Sequence, residues 1–166
     1  MTGPDFVETA TPGNIVDPVA DTSPGAVEIA FDRTAHGNCS QVLWQNLSRN
    51  PDRPAVIGPQ GTMTYRELAA EAGRWGIAFA AQGLQRGERI AFFLDDTPAF
   101  PAAFFGATRA GFVPVLLNIQ TKPDVLNYFL KDTGARVAVV DADLAGMFAG
   151  QTLDGTSLQT VVVTNG

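Results

Sequence analysis

A chain of 166 residues, 45% hydrophobic and 17% charged, can bury one substantial core and is too short for a large multidomain assembly. The formal net charge is -6, and five acids, Asp5, Glu8, Asp17, Asp21 and Glu28, fall within residues 1–30, which hold no basic residue. Setting those five aside leaves residues 31–166 at -1 with no basic stripe, which predicts no nucleic acid and no membrane as partner.

Residues 1–37 read as a mobile acidic arm, because Pro4, Pro12, Pro18 and Pro24 interrupt a stretch without sustained hydrophobic period. Within it, only Val27, Ile29 and Phe31 alternate as an edge strand would. The folded body is expected over 38–166. Val42, Leu43 and Leu47 predict a short amphipathic helix over Cys39 to Arg49, stopped by Asn50-Pro51. Ala55 to Ile57, a turn from Gly58 to Gly61 and Thr62 to Thr64 predict a hairpin. Thr64 and Glu67 have the spacing of a capping box, in which the hydroxyl accepts from the third helical amide while the carboxylate reaches back. The helix that follows carries Leu68, Ala72, Trp75 and Phe79 on one stripe.

After Gly83 and Gly87, Arg89 to Leu94 is the first of four nearly continuous apolar runs. Thr97 is expected to open a helix with Pro98 and Pro101 in its first turn, Phe100, Phe104 and Ala107 on its buried face and Gly111 as its stop. Val113 to Leu117 is the second run, followed by a helix capped by Thr121 and reaching Lys131. Arg136 to Val140 is the third, followed by a helix capped by Asp141 and reaching Ala149. Thr160 to Thr164 is the fourth. Apolar runs spaced by helices predict an α/β fold with a parallel, doubly wound sheet and flanking helices.

Cys39 is the sole cysteine and cannot form an internal disulfide, and the segment after Met1 lacks the basic and apolar regions of a leader, so the chain reads as cytoplasmic and reduced. In that compartment the sequons at Asn38 and Asn46 are coincidental.

Ligands of open parallel sheets bind beyond the carboxyl ends of the strands, here Asp95–Thr97, Asn118–Thr121, Asp141–Asp143 and the chain from Asn165. The first of these has two acids and no glycine, the reverse of a phosphate cradle. Gly106 and Gly111 have P-loop spacing, yet Phe112 and Val113 stand where Lys and Ser or Thr are required, and the segment closes a helix instead of opening one. Asp95 and Asp96 resemble paired carboxylates for Mg²⁺ or acid–base work, but the favoured reading makes one a helix cap and leaves the other solvated. His36 and a half-buried Cys39 are spaced like two metal ligands and lack a third. Trp44, Trp75 and the eleven Phe residues read as packing. The residues alone therefore describe an α/β domain with no catalytic residue and no metal site.

MTYREL at Met63–Leu68 resembles the first signature of the adenylate-forming superfamily. GLQRGERIAFFL at Gly83–Leu94 resembles its helix-to-strand turn, and RAGFVPVLLN at Arg109–Asn118 its second signature. PDRPAVI before the hairpin and DTGARVAVV at Asp132–Val140 match in order and spacing, so the resemblance covers about residues 38–164. LDDTPAFPAAFFGATRAGFVPV is most similar to benzoate-CoA and related aryl-acid ligases. The resemblance implies a two-step ligase: ATP converts a carboxylic acid to an acyl-adenylate, and the thiol of CoA displaces AMP to give a thioester. It also implies that ATP, Mg²⁺ and CoA serve the full-length parent, and that none is bound by this segment alone. The phosphate loop, the glutamate for Mg²⁺, the aspartate for the ribose and the lysine of a C-terminal lid all belong to sequence beyond the fourth strand, which makes a downstream ligase segment or lid the expected partner. Gln120 and Lys122, on the loop after the second signature, are the only candidates to border a CoA tunnel, against a competing reading as an exposed helix start.

Overall fold

The computed structural model describes residues 38–164. The acidic arm over 1–37, the alternation at Val27, Ile29 and Phe31, His36 and Asn165 lie outside the described residues. The described chain divides into two compact units, one of residues 38–86 and 97–112, the other of residues 87–96 and 113–164.

In the first unit, helix α1 spans Gln41–Arg49. Its inward residue is Leu43, 1% exposed, whereas Val42, expected on the apolar face, is 58% exposed. Leu43, Trp44 and Leu47 fall on one side of the helix at spacings of one and three, and Val42 turns away from it. Strands β1, Pro54–Gly58, and β2, Gly61–Thr64, form the predicted antiparallel hairpin with a register shift between Pro54 and Val56. Thr64 then caps helix α2, Tyr65–Ala81: its side chain accepts from the Glu67 amide, and Glu67 Oε2 accepts from the Thr64 amide at 2.8 Å. Leu68, Ala72, Trp75 and Phe79 are all 3% exposed or less, so the stripe read from spacing is the buried face.

Helix α3, Ala99–Ala110, differs from expectation at both its start and its face. It begins after Pro98, whose ring disfavours helical backbone at the preceding Thr97; that residue contributes only a carbonyl to Phe100 N at 3.0 Å. The buried residues are Ala102, Ala103, Gly106, Ala107, Thr108 and Ala110, while Phe100 and Phe104 stay partly exposed. The cause is the close approach of α2: a Cβ built on Gly106 would lie 2.6 Å from Ala72 O and 2.6 Å from Trp75 Cβ. A phenylalanine stripe has no room there, so the helix turns its small residues inward. Gly111 ends α3 with φ +88, a left-handed conformation that favours glycine.

The second unit is a four-stranded parallel sheet. Strand β3 is Arg89–Phe93, β4 Val113–Leu116, β5 Val137–Asp141 and β6 Thr160–Thr164, in the order β4-β3-β5-β6. The register pairs Phe92 with Leu116 and Val139, and Asp141 with Thr164. Ala91, Phe93, Ala138, Val140, Val161 and Val163 point to one face and form a core with Leu126, Leu130, Ala135 and Phe148. Ile90, Phe92, Val137 and Val139 alternate onto the opposite face and are 1% exposed or less, so β3 and β5 are buried on both sides as continuous apolar runs require. Edge strand β4 departs from that pattern: Val113 is 45% and Leu116 52% exposed, and Pro114, with no amide to donate, is tolerated at the edge.

Helix α4, Pro123–Thr133, starts with Pro123 at N1 and Lys122 in the capping position without a side-chain cap, so Thr121 does not cap it. After β5 the predicted helix is replaced by two 3₁₀ turns, Ala142–Met147 and Gly150–Leu153. Gly146 weakens an α-helix there, and the Asp141 carboxyl, expected as its cap, is engaged elsewhere.

Candidate functional site

The place to build a site in the second unit is the carboxyl rim of its sheet. The chain runs from β3 outward to β4 and then crosses back to β5, so the order reverses between β3 and β5. That reversal is the topological switch point at which open parallel sheets open a crevice for ligands. Here the crevice is bridged by the protein itself. Asp141, 4% exposed, accepts from the Asp95 amide through Oδ2 at 2.6 Å and from the Thr164 hydroxyl through Oδ1 at 2.7 Å.

Asp95 and Asp96 are exposed, and neither caps α3. Asp95 Oδ1 instead accepts from the Asp96 amide at 2.8 Å, folding the acid pair onto its own backbone. Thr97, taken in the first unit, has a buried Oγ1 with no hydrogen-bond partner.

After β4, the Asn118 side chain accepts from Gln120 N at 2.9 Å and its carbonyl accepts from Thr121 N at 2.9 Å, giving a compact turn. Gln120 and Lys122 are both exposed. Lys122 lines an open cleft of about 510 Å³ with Pro123, Asp124, Asn127, Gln151 and Thr152, and Gln120 does not. The two candidates are therefore not brought together in that cleft, and the Asp124 carboxylate opposes the attraction of Lys122 for an anion. Asn127 Nδ2 donates toward the carbonyls of Thr152 at 2.9 Å, Asp154 at 3.0 Å and Gln151 at 3.4 Å, tying the second 3₁₀ turn to α4. Neither role, of Asp141 or of Asn127, is legible from the sequence, since their partners are 23 to 46 residues away along the chain.

In the first unit, Cys39 is exposed and not half-buried. Asn38 is an anchor: its Nδ2 donates to the Thr108 carbonyl at 2.7 Å, and its Oδ1 accepts from Ser40 N at 3.0 Å. The Arg109 guanidinium stacks 3.6 Å from the Trp44 ring centroid, and burial pushes its pKa down. These contacts use Trp44 for packing, as its spacing suggests.

ATP and Mg²⁺ would need converging amides or several acidic ligands. Among the described residues no group of three or more His, Cys, Asp or Glu could hold a metal ion, and the end of β3 carries two exposed carboxylates, Asp95 and Asp96, where phosphates would need donors. The described residues thus do not fit that pair of ligands. Among the same residues, no helix is long and apolar enough to cross a membrane.

A parallel α/β sheet of this order with flanking helices is the N-terminal part of the adenylate-forming fold. A solved benzoate CoA ligase from Burkholderia xenovorans LB400 shares it with a TM-score of 0.72 and 31% identity, over 78% of this chain and 26% of that one. The chain belongs to the AMP-binding enzyme family, whose model matches residues 43–165. It is 40% identical over 106 residues to the 3-hydroxybenzoate–CoA ligase of Aromatoleum sp. (strain CIB), covering 62% of this chain and 20% of the relative. It is 36% identical over 152 residues to the benzoate–CoA ligase of Thauera aromatica, covering 89% of this chain and 28% of the relative. Long-chain-fatty-acid–CoA ligases also match, and across these relatives the chain spans 20% to 28% of their length.

Proposed function

We propose that residues 38–166 form the partial N-terminal subdomain of an ATP-dependent carboxylate–CoA ligase, preceded by residues 1–37 as an acidic arm. In this reading the acid becomes an acyl-adenylate and then a CoA thioester, and the acid is aryl or acyl, with the aryl branch favoured. The observation that carries the reading is the family match over residues 43–165, supported by the likeness to hydroxybenzoate– and benzoate–CoA ligases. These residues supply scaffold: they hold the sheet rim from which a downstream segment with the phosphate, Mg²⁺ and ribose groups would continue. Gln120 and Lys122 would border the path of CoA, with Lys122 the one of the two that carries charge. The partners are a small carboxylic acid and a downstream ligase segment or lid, in a cytoplasmic setting, with no nucleic acid and no membrane.

The chain alone is proposed to bind no nucleotide tightly, because the end of β3 offers the exposed carboxylates of Asp95 and Asp96 in place of a phosphate cradle. Isothermal calorimetry with ATP, NAD and CoA tests this. Heats no larger than dilution support the scaffold role; saturable binding of ATP, NAD or CoA in the micromolar range would overturn it.

A second reading, a non-enzymatic interaction module or split-enzyme subunit with the same fold, is favoured by one observation. Among the described residues, β6 pairs only with β5, leaving its outer edge open to another strand. Light scattering after size exclusion separates the two: a defined complex with a downstream ligase segment favours the subunit, and a lone monomer in its presence counts against it.

A further inference from the structure

The buried acid at the end of β5 has no role in the ligase chemistry described above, yet its side chain joins two other segments of the rim. Parallel pairing sets Asp141 beside Thr164, and Phe93 beside Val140. Asp95 lies two residues past the end of β3, and its amide donates to the carboxyl group of Asp141 at the end of β5. One oxygen takes that amide at 2.6 Å and the other takes the Thr164 hydroxyl at 2.7 Å. Asp141 is 4% and Thr164 0% exposed, so the bond between them is shielded from water, while Asp95 stands at the exposed rim. Three strands therefore end on one carboxyl group, at the topological switch point of the sheet.

We propose that Asp141 is a positioning residue that closes the switch-point crevice and fixes two exits relative to β5: the Leu94–Asp96 segment after β3 and the chain leaving β6 at Thr164. A buried carboxyl with one donor from the segment leaving β3 and one from the end of β6 holds both directions at once, which backbone ladder bonds, lying in the plane of the sheet, do not. The clamp itself is a property of this chain. Its consequence, that a segment continuing from β6 starts from a fixed point, rests on the ligase reading.

The chemistry separates a specific clamp from general stability. In Asp141→Asn the amide oxygen still accepts from Asp95 N–H, and the new NH₂ group donates to the Thr164 hydroxyl, which rotates to accept. Both bonds survive. Asp141→Ala removes both, and Thr164→Val removes only the hydroxyl bond, leaving the Asp95 amide held. The experiment is backbone NMR of the full 166-residue chain with amide hydrogen exchange at Asp95. In the native chain, Asp141→Asn and Thr164→Val, the Asp95 amide is expected to remain protected. In Asp141→Ala its exchange rises at least about tenfold relative to β3 amides, as the loss of one strong hydrogen bond requires. An Asp95 amide that is unprotected in the native chain overturns the proposal, and so does loss of its protection in Asp141→Asn while the β3 amides stay protected. If Asp141→Ala does not fold, Asp141→Asn and Thr164→Val decide the matter alone. Failure of the clamp would leave the ligase reading untouched, since nucleotide and acid assays test that separately.

Discussion

Two glycines on helices of the first unit carry opposite predictions for the same substitution. At Gly106 of α3 an added Cβ would lie 2.6 Å from Ala72 O, 2.6 Å from Trp75 Cβ and 2.9 Å from Gly76 N. Two of these are backbone atoms of α2, so relief requires the helices to separate. Forcing a methyl group into such packing costs about 1–3 kcal/mol, and exchanging glycine for alanine in a helix returns up to about 1 kcal/mol, so Gly106→Ala should lose about 1–2 kcal/mol. At Gly73 of α2 the same methyl group meets nothing within 4 Å, so only the propensity gain remains, and Gly73→Ala should add about 0.5–1 kcal/mol. For a domain of this size about 1 kcal/mol moves Tm by roughly 4 °C. Thermal and urea unfolding followed by circular dichroism should therefore rank Gly73→Ala above the native chain and Gly106→Ala about 4–8 °C below it. Equal stability of the two variants would refute the close α2–α3 approach as the reason that α3 buries its small residues.

Thr64→Ala should cost about 1 kcal/mol by removing the cap of α2, measured by urea unfolding at neutral pH. Hydrogen bonds from the Thr64 backbone and side chain hold Glu67 below its ordinary carboxylate value of 4.5. A depressed folded-state pKa gives stability that is present above 4.5 and lost as pH falls through the lower folded value, so the acid limb of a pH–stability profile should be shallower in Glu67→Gln; an unchanged limb would contradict the box. Asn127→Ala should release the second 3₁₀ turn, raising amide exchange across Gln151–Leu153 and costing about 1 kcal/mol. Unaltered exchange there would show that the turn holds itself.

How far the sequence could be read depended on whether the deciding partner was local. Thr64 and Glu67 are three residues apart, and the stripe from Leu68 to Phe79 needs only helical geometry, so both were legible. The apolar runs of β3 and β5 were legible because burial on both faces leaves no polar positions. The inward face of α3 was not, because Phe100 and Phe104 are the more hydrophobic choice until α2 is known to pass close over Gly106. The start of α4 turned on Pro123, whose fixed φ outweighed the capping preference of Thr121. Asp141 looked like a helix cap because Ala142 onward has helical composition. Its true partners, the Asp95 amide and the Thr164 hydroxyl, are 46 and 23 residues away and meet it only once the strand order is known. At the candidate site, Lys122 was found as a rim residue, but its sharing of a cleft with Asp124 and Asn127 depends on how α4 packs against the 3₁₀ turn.

The central claim is that this chain carries the scaffold of an acid–CoA ligase without the groups that activate the acid. Isotopic exchange of pyrophosphate into ATP, assayed on the purified 166-residue chain with benzoate, 3-hydroxybenzoate and a long-chain fatty acid in turn, tests it most directly. The account predicts exchange indistinguishable from the acid-free control for every acid. Acid-dependent exchange above that control would contradict it and would place adenylation chemistry within these residues.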